Sequence, residues 1–196
     1  MSTYWEAFWR EWRDGRWEPD TKALLEEILS PGDLFVDVGA WIGPVTLWAL
    51  ELGANVVAIE PDPVAVAELR RTMPDSVEIH ECAVTPEARP VRLSARRGEL
   101  GNSMTHVTAD GAVEIEGREL FEILDGRIPK LVTIDIEGYE AELLPKLAPE
   151  LAAAGVTLQV ALHPHVNPAP IRKDWFEGFT DVAWPERPRG NLVARP

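Results

Sequence analysis

The sequence predicts an α/β domain built on a mainly parallel sheet, and three observations lead there. Strand-like and helix-like segments alternate from about residue 20 to the end of the chain, the pattern of crossover-linked parallel strands. The last two extended segments, 179–184 and 191–195, are joined by a connection short enough for a hairpin. Hydrophobic residues make up 45% of 196 residues, enough for one full-sized core.

The first segment stands apart. Trp5, Phe8, Trp9 and Trp12 fall at i, i+3, i+4 and i+7, one stripe of a helix that Asp14-Gly15 ends. We read residues 1–19 as a Trp-rich helical leader or lid and 20–196 as the main domain. So apolar a stripe must pack on the domain, close over a pocket or meet a second copy of the chain. Asp20 offers an N-cap for a second helix carrying Leu24, Leu25, Ile28 and Leu29.

The apolar run 34–38 predicts the first buried strand, and 43–52 a helix stopped by Gly53. Residues 55–59 form the second strand. Residues 62–73 form a helix with Pro63 in its first turn, where a missing N–H costs nothing. Residues 77–83 give a third strand. Two short strands, 91–93 and 113–115, flank a polar stretch, 94–108, that is either a flap over an acceptor or an ordinary surface hairpin. Residues 131–136 are the fourth strand. A helix over 139–154 is expected to be interrupted at Pro145 and Pro149 and capped by Gly155. Residues 157–162 are the fifth strand.

Charge and composition exclude several functions. Acids outnumber bases 33 to 19, for a formal charge of −14. Such a surface repels a phosphate backbone and an anionic bilayer, so nucleic acid and membrane are not expected partners. No apolar stretch reaches the ~18 residues a membrane span requires. The N-terminus lacks the apolar core of a signal peptide, and Cys82 is the single cysteine, so a cytoplasmic protein is expected.

The first strand ends in Asp37-Val38-Gly39-Ala40-Trp41-Ile42-Gly43 and runs into a helix. Gly39 permits a sharp turn that brings backbone N–H groups to a ligand, and Gly43 permits close approach at the helix start. Glu60 closes the second strand, where a carboxylate can accept hydrogen bonds from ribose hydroxyls. A dinucleotide loop requires a small residue where Trp41 stands, and Trp41 would crowd a diphosphate. S-adenosylmethionine, a sulfonium without phosphate, fits better. An NAD(P) oxidoreductase is the less favoured alternative, and a non-catalytic partner-binding module using the Trp stripe is another.

The fourth strand runs into Asp135-Ile136-Glu137-Gly138-Tyr139-Glu140. Asp135 and Glu137 share a face in extended backbone. Together with the Asp37–Gly43 loop, Glu60-Pro61-Asp62-Pro63, Ala83 after the third strand and His163 after the fifth, this pattern resembles the FkbM-type S-adenosylmethionine-dependent methyltransferases, over about residues 17–165. The resemblance implies a Rossmann-like class I methyltransferase fold: a mainly parallel seven-stranded sheet, helices on both faces and an antiparallel last strand. Two positions depart from the family, which has Asn where Trp41 stands and an aromatic where Pro44 stands.

By position, the resemblance implies that Asp37, Gly39, Ala40, Trp41, Gly43, Glu60, Pro61, Ala83 and Asp135 hold the cofactor, S-adenosylmethionine. The implied reaction is O-methylation of a hydroxyl on a small molecule or sugar. Asp135 and then His163 are the candidate bases. Glu137, Asn102, Ser103 and His165 are candidate acceptor contacts. A divalent ion on Asp135, Glu137, His163 and His165 is the less favoured alternative to a metal-free site. The expected state is a monomer, or a homodimer through the Trp-rich helix.

Overall fold

The computed structural model describes residues 3–95, 99–187 and 190–196. Parts of the predicted flap (96–98) and of the hairpin connection (188–189) lie outside the described residues, as do residues 1 and 2.

The chain opens with helix α1 (Thr3–Arg13) and α2 (Pro19–Ile28), followed by strand β1 (Leu34–Val38), α3 (Pro44–Glu51), β2 (Asn55–Ile59), α4 (Pro63–Thr72) and β3 (Glu78–His80). Short strands follow: β4 (Ala83–Val84), β5 (Val91–Ala95), β6 (Thr105–Val107), β7 (Val113–Ile115) and β8 (Gly117–Arg118). Then come α5 (Leu120–Leu124), β9 (Leu131–Ile134), α6 (Glu140–Ala153), β10 (Thr157–Ala161), a 3-10 turn (Lys173–Phe176), β11 (Asp181–Ala183) and β12 (Asn191–Arg195).

Seven strands form the main sheet in the order β11-β12-β10-β9-β1-β2-β3. β12 runs antiparallel to both β10 and β11, and the pairs among β10, β9, β1, β2 and β3 are parallel. The direction of winding reverses between β1 and β9, so a crevice opens at their carboxyl ends.

The strands are apolar because both faces are covered. On one face Phe35, Val56, Ala58 and Leu131 pack with α2, α3 and Leu69 and Met73 at α4. On the other, Val36, Val38, Val57, Ile59, Val132, Ile134, Leu158 and Val160 pack with α5 and α6. α1 lies outside this sandwich. Its Trp9 is buried with Trp41, Ile42 and Ala65, and Trp12 stacks on Trp48 with ring centroids 5.6 Å apart.

Several expectations are corrected. α2 begins at Pro19, with Glu18 rather than Asp20 at the N-cap position, held left-handed at φ 39°. Thr21 Oγ1 donates to Glu18 Oε2 at 2.8 Å. α6 passes through Pro145 and Pro149 without interruption. Each proline removes a helix hydrogen bond, but Leu143, Leu144, Leu147 and Leu151 are all buried against the sheet, and burying each stabilises by about 1.5–3 kcal/mol. The third strand is short, because the chain leaves the sheet after His80 and Ala83–Val84 pairs instead with Gly117–Arg118. α5, β6 and the 3-10 turn carry too few residues to show a period.

Candidate active site

The crevice between β1 and β9 contains a cavity of about 240 Å³, and a narrower slot of about 40 Å³ adjoins it. Asp37, Gly39, Ala40, Trp41, Glu60, Asn102, Ser103, Asp135, Glu137 and His163, all singled out from the sequence, line the cavity. Pro61 and Ala83 line the slot, together with Ile59, Cys82, Leu93 and Val107. Gly39, Glu60 and Asp135 border both. One lobe therefore mixes acids and amides with aromatic and aliphatic walls, and the other is largely apolar.

Two predicted residues lie elsewhere. Gly43 does not line the cavity; at φ 94°, a Cβ there would run into Met73 and Leu69, so this glycine serves the packing of α3 against α4. His165 is exposed and outside the cavity, its ring centroid 5.8 Å from that of His163. Gly39 has φ 87°, and a Cβ there would collide with the Asp135 carbonyl, so β1 and β9 approach this closely only with glycine at that position.

Asp37 is a buried acid that faces hydroxyls. Thr46 Oγ1 donates to its Oδ2 at 2.7 Å and Thr133 Oγ1 to its Oδ1 at 3.1 Å. Burial pushes Asp37 up to about 6, and the two threonines offset only part of this. Glu60 sits where the lobes meet. Its Oε2 accepts the Trp41 N–H and its Oε1 the Asp62 N–H, each at 2.8 Å. Each oxygen keeps a second acceptor position. Burial pushes Glu60 up to about 8 against the pull of those amides. Burial also raises the Cys82 thiol to about 11, which suits a slot wall rather than a nucleophile.

Trp41 takes a left-handed conformation, φ 48°, which asparagine tolerates better than a bulky side chain. Its indole Nε1 donates to the Gly101 carbonyl at 3.0 Å, and Phe8 meets its ring edge-on at 4.7 Å. Trp5 Nε1 reaches the same carbonyl at 3.3 Å. α1 and the 99–105 loop thus meet over the donor loop. Asn102 lines the cavity but uses its amide within its own loop, on Glu99 and Met104.

His163 gathers three carboxylates. Nδ1 lies 2.9 Å from Glu140 Oε1, and Nε2 lies 3.4 Å from Asp135 Oδ1 and 3.7 Å from Glu137 Oε1. Glu140 Oε1 also accepts the Gly138 N–H, so Nδ1 is the donor and the ring orientation is fixed. Glu137 is left-handed at φ 51° and lies beyond the end of β9, so it joins Asp135 at the cavity through a turn and not through the strand alternation expected from the sequence. Burial raises Asp135, with the imidazole pulling the other way. Burial alone would lower His163, but the Glu140 hydrogen bond and the surrounding carboxylates hold it above its ordinary range.

The sequence reading missed several lining residues. Phe8, Trp17, Glu18 and Thr21 come from the N-terminal segments, and Thr133, Gln159 and Asn191 from the sheet. Gln159 donates to Thr21 Oγ1 at 2.8 Å, as does Asn191 at 3.1 Å. A polar residue inside an apolar strand, Thr133 in β9 and Gln159 in β10, was the available signal.

Hexuronic acid methyltransferase AglP of Haloferax volcanii is 30% identical over 183 residues, covering 86% of this chain and 71% of that protein. The chain belongs to the class I S-adenosylmethionine-dependent methyltransferases. Ribosomal RNA small subunit methyltransferase A of Mycolicibacterium paratuberculosis is 32% identical over 122 residues, 62% of this chain. The chain spans only 37% of that relative's length. No family model matches the chain. Among solved structures, methyltransferase FkbM from Methylobacillus flagellatus superposes with a TM-score of 0.55 at 14% identity, covering 86% of this chain and 44% of that one. A TehB-like methyltransferase from Corynebacterium glutamicum gives 0.55 at 10% identity, covering 97% and 94%. Both share the fold.

The two-lobed site of this methyltransferase fits its cofactor, S-adenosylmethionine. The apolar slot suits a base, Glu60 at the junction suits a ribose, and the acids and hydroxyls of the larger lobe suit an amino acid. No described helix is long and apolar enough to cross a membrane.

Proposed function

We propose that this methyltransferase methylates a hydroxyl of a sugar or other small polyhydroxylated acceptor, in glycan or natural-product tailoring. The observation that carries this is Asp135. Its carboxylate stands at the carboxyl end of β9, backed by His163, with 44% of the side chain open to the cavity. A carboxylate so placed can hold and deprotonate an acceptor hydroxyl.

When bound, S-adenosylmethionine would supply an electrophilic methyl group to the acceptor oxygen and leave as the neutral thioether, S-adenosylhomocysteine. The chain's residues do the rest. Asp135 takes the hydroxyl proton. His163, pinned by Glu140, positions Asp135 from behind rather than serving as the first base. Glu137, Asn102 and Ser103 contact the acceptor, joined by Thr21, Gln159 and Asn191 on the cavity wall. Asp37, Glu60 and the Gly39–Trp41 loop hold the donor. Phe8 and Trp17 close the cavity, which makes the Trp-rich segment a lid as well as a packing element.

The name of the Haloferax relative supports an acidic sugar as the acceptor. The net charge of −14 argues against an RNA acceptor, although rRNA methyltransferases are among the relatives. The test is calorimetry with S-adenosylhomocysteine, followed by mass spectrometry of uronic acids, neutral sugars and amines incubated with enzyme and donor. Gain of one methyl on a hydroxyl acceptor is expected. Methylation confined to amines would overturn the hydroxyl assignment.

A further inference from the structure

The two ring nitrogens of His163 have different surroundings. The side chain is more than nine-tenths buried. Nδ1 is held by Glu140 at 2.9 Å. Nε2 makes no hydrogen bond among the described residues, and it is aimed at two carboxylate oxygens, 3.4 Å and 3.7 Å away. The nearer, Asp135 Oδ1, is sealed from solvent and also lacks a hydrogen-bond partner. One atom each from Asp135, Glu137 and His163 lies within 4.8 Å of the other two.

These separations are long for hydrogen bonds. They are somewhat wider than the gap between ligands already drawn onto an ion, so the three groups would close on one by a small inward movement of their side chains. Atoms ~2.1 Å from one cation stand about 3.0 Å apart at right angles and about 3.4 Å apart at tetrahedral angles. Glu140 occupies the outer position characteristic of a metal-binding histidine: a carboxylate on the far ring nitrogen, fixing the ring so that the near nitrogen faces inward and can bind a cation in exchange for its proton. All three ligand residues line the cavity, so further coordination positions open toward the acceptor.

We propose that Asp135, Glu137 and His163 form a three-point site for a divalent cation of the Mn²⁺ or Mg²⁺ kind, whose open positions take acceptor oxygens. Two carboxylates favour a hard ion, and one imidazole moves the preference toward Mn²⁺. The site selects an acceptor that presents its reacting hydroxyl beside a second oxygen, such as a vicinal diol or a hydroxy acid. The cation lowers the proton affinity of that hydroxyl, and the outer oxygen of Asp135 remains free to take the proton. What the ion does rests on the hydroxyl-methylation reading above; whether it binds does not.

The test uses the full chain, stripped of metal. Titration with Mn²⁺ is followed by calorimetry, and Co²⁺ serves as a visible-absorption probe for a nitrogen ligand. One equivalent of Mn²⁺ is expected to bind, with at least a tenfold loss of affinity in Glu137→Gln and a 10- to 100-fold loss in Glu140→Gln. The Co²⁺ bands are expected to disappear in His163→Gln, with circular dichroism showing each variant folded. Absence of Mn²⁺ heat and Co²⁺ bands, with S-adenosylhomocysteine still bound, overturns the cation site alone. Equal Mn²⁺ affinity in wild type and Glu137→Gln overturns it too, marking an adventitious ion only. Specific Mn²⁺ binding without methyl transfer to any hydroxyl supports the site and removes the acceptor reading instead.

Discussion

Asp62 holds Gly101 across 39 positions of sequence, its Oδ2 accepting the Gly101 N–H at 2.5 Å. The same oxygen accepts from Thr105 Oγ1 at 2.7 Å, while Oδ1 caps α4 through the N–H groups of Val64 and Ala65. One carboxylate therefore starts a helix and pins the loop that borders the cavity. Asp62→Ala is expected to cost about 1–2 kcal/mol for the lost cap and to weaken S-adenosylhomocysteine binding. Urea denaturation and calorimetry measure the two effects separately. A stability loss with unchanged affinity would mean that the loop does not shape the donor site.

Trp41 combines a buried indole with a left-handed backbone. Trp41→Ala loses the packing and the Gly101 hydrogen bond and keeps the strained φ, for an expected loss of about 3–5 kcal/mol. Trp41→Asn loses the same contacts but tolerates the backbone, so it should be less destabilised than the alanine variant, by about 1 kcal/mol. Paired thermal melts decide this, and an asparagine variant no more stable than the alanine one would refute backbone strain at this position.

The buried acids give the apo protein a pH-dependent stability. Glu60 rises from an ordinary 4.5 to about 8 on folding, and Asp37 from 3.8 to about 6. A raised carboxyl binds its proton more tightly in the folded state, so its stabilising contribution is full below the unfolded value and lost as pH rises through the folded one. Stability should therefore fall from about pH 3.8, where Asp37 begins to lose its contribution, to about pH 8, where Glu60 has lost its own. Glu60→Gln should flatten the upper part of that slope. Urea midpoints at pH 5, 6, 7 and 8 provide the check.

Asp135→Asn keeps the shape of the cavity wall and removes the proton acceptor. Turnover should drop by about 10²-fold or more, with S-adenosylhomocysteine affinity kept within a few-fold. Equal losses in binding and turnover would reassign Asp135 to donor binding.

Trp12 ties α1 to the body of the protein, stacking on Trp48 and donating its Nε1–H to the Pro44 carbonyl at 3.1 Å. Trp12→Ala should cost about 3 kcal/mol, toward the lower end for a tryptophan truncation because the ring is only half-buried. A variant as stable as wild type would show that α1 contributes little to the fold and would favour a purely gating role.

The sequence by itself determined the local elements and the donor loop. The apolar runs of β1, β2, β9 and β10 were legible because both faces of a parallel strand are buried. Gly39 was legible because the sharp turn after β1 requires a glycine, and Glu60 because an acid ending β2 can accept hydrogen bonds from ribose hydroxyls. The short elements, α5 and β6, were not legible because they carry too few residues to show a period, and the unbroken α6 was not because burial of its leucines outweighs the two prolines. Tertiary structure alone decided which side chains share the cavity. Thr21 and Gln159 are 138 positions apart and bonded, and Trp5 and Trp41 converge on Gly101. His163 acquires Glu140 on one nitrogen and faces Asp135 and Glu137 with the other. Those partnerships follow from the sheet order, with β9 set between β1 and β10, and no local periodicity encodes which strands become neighbours.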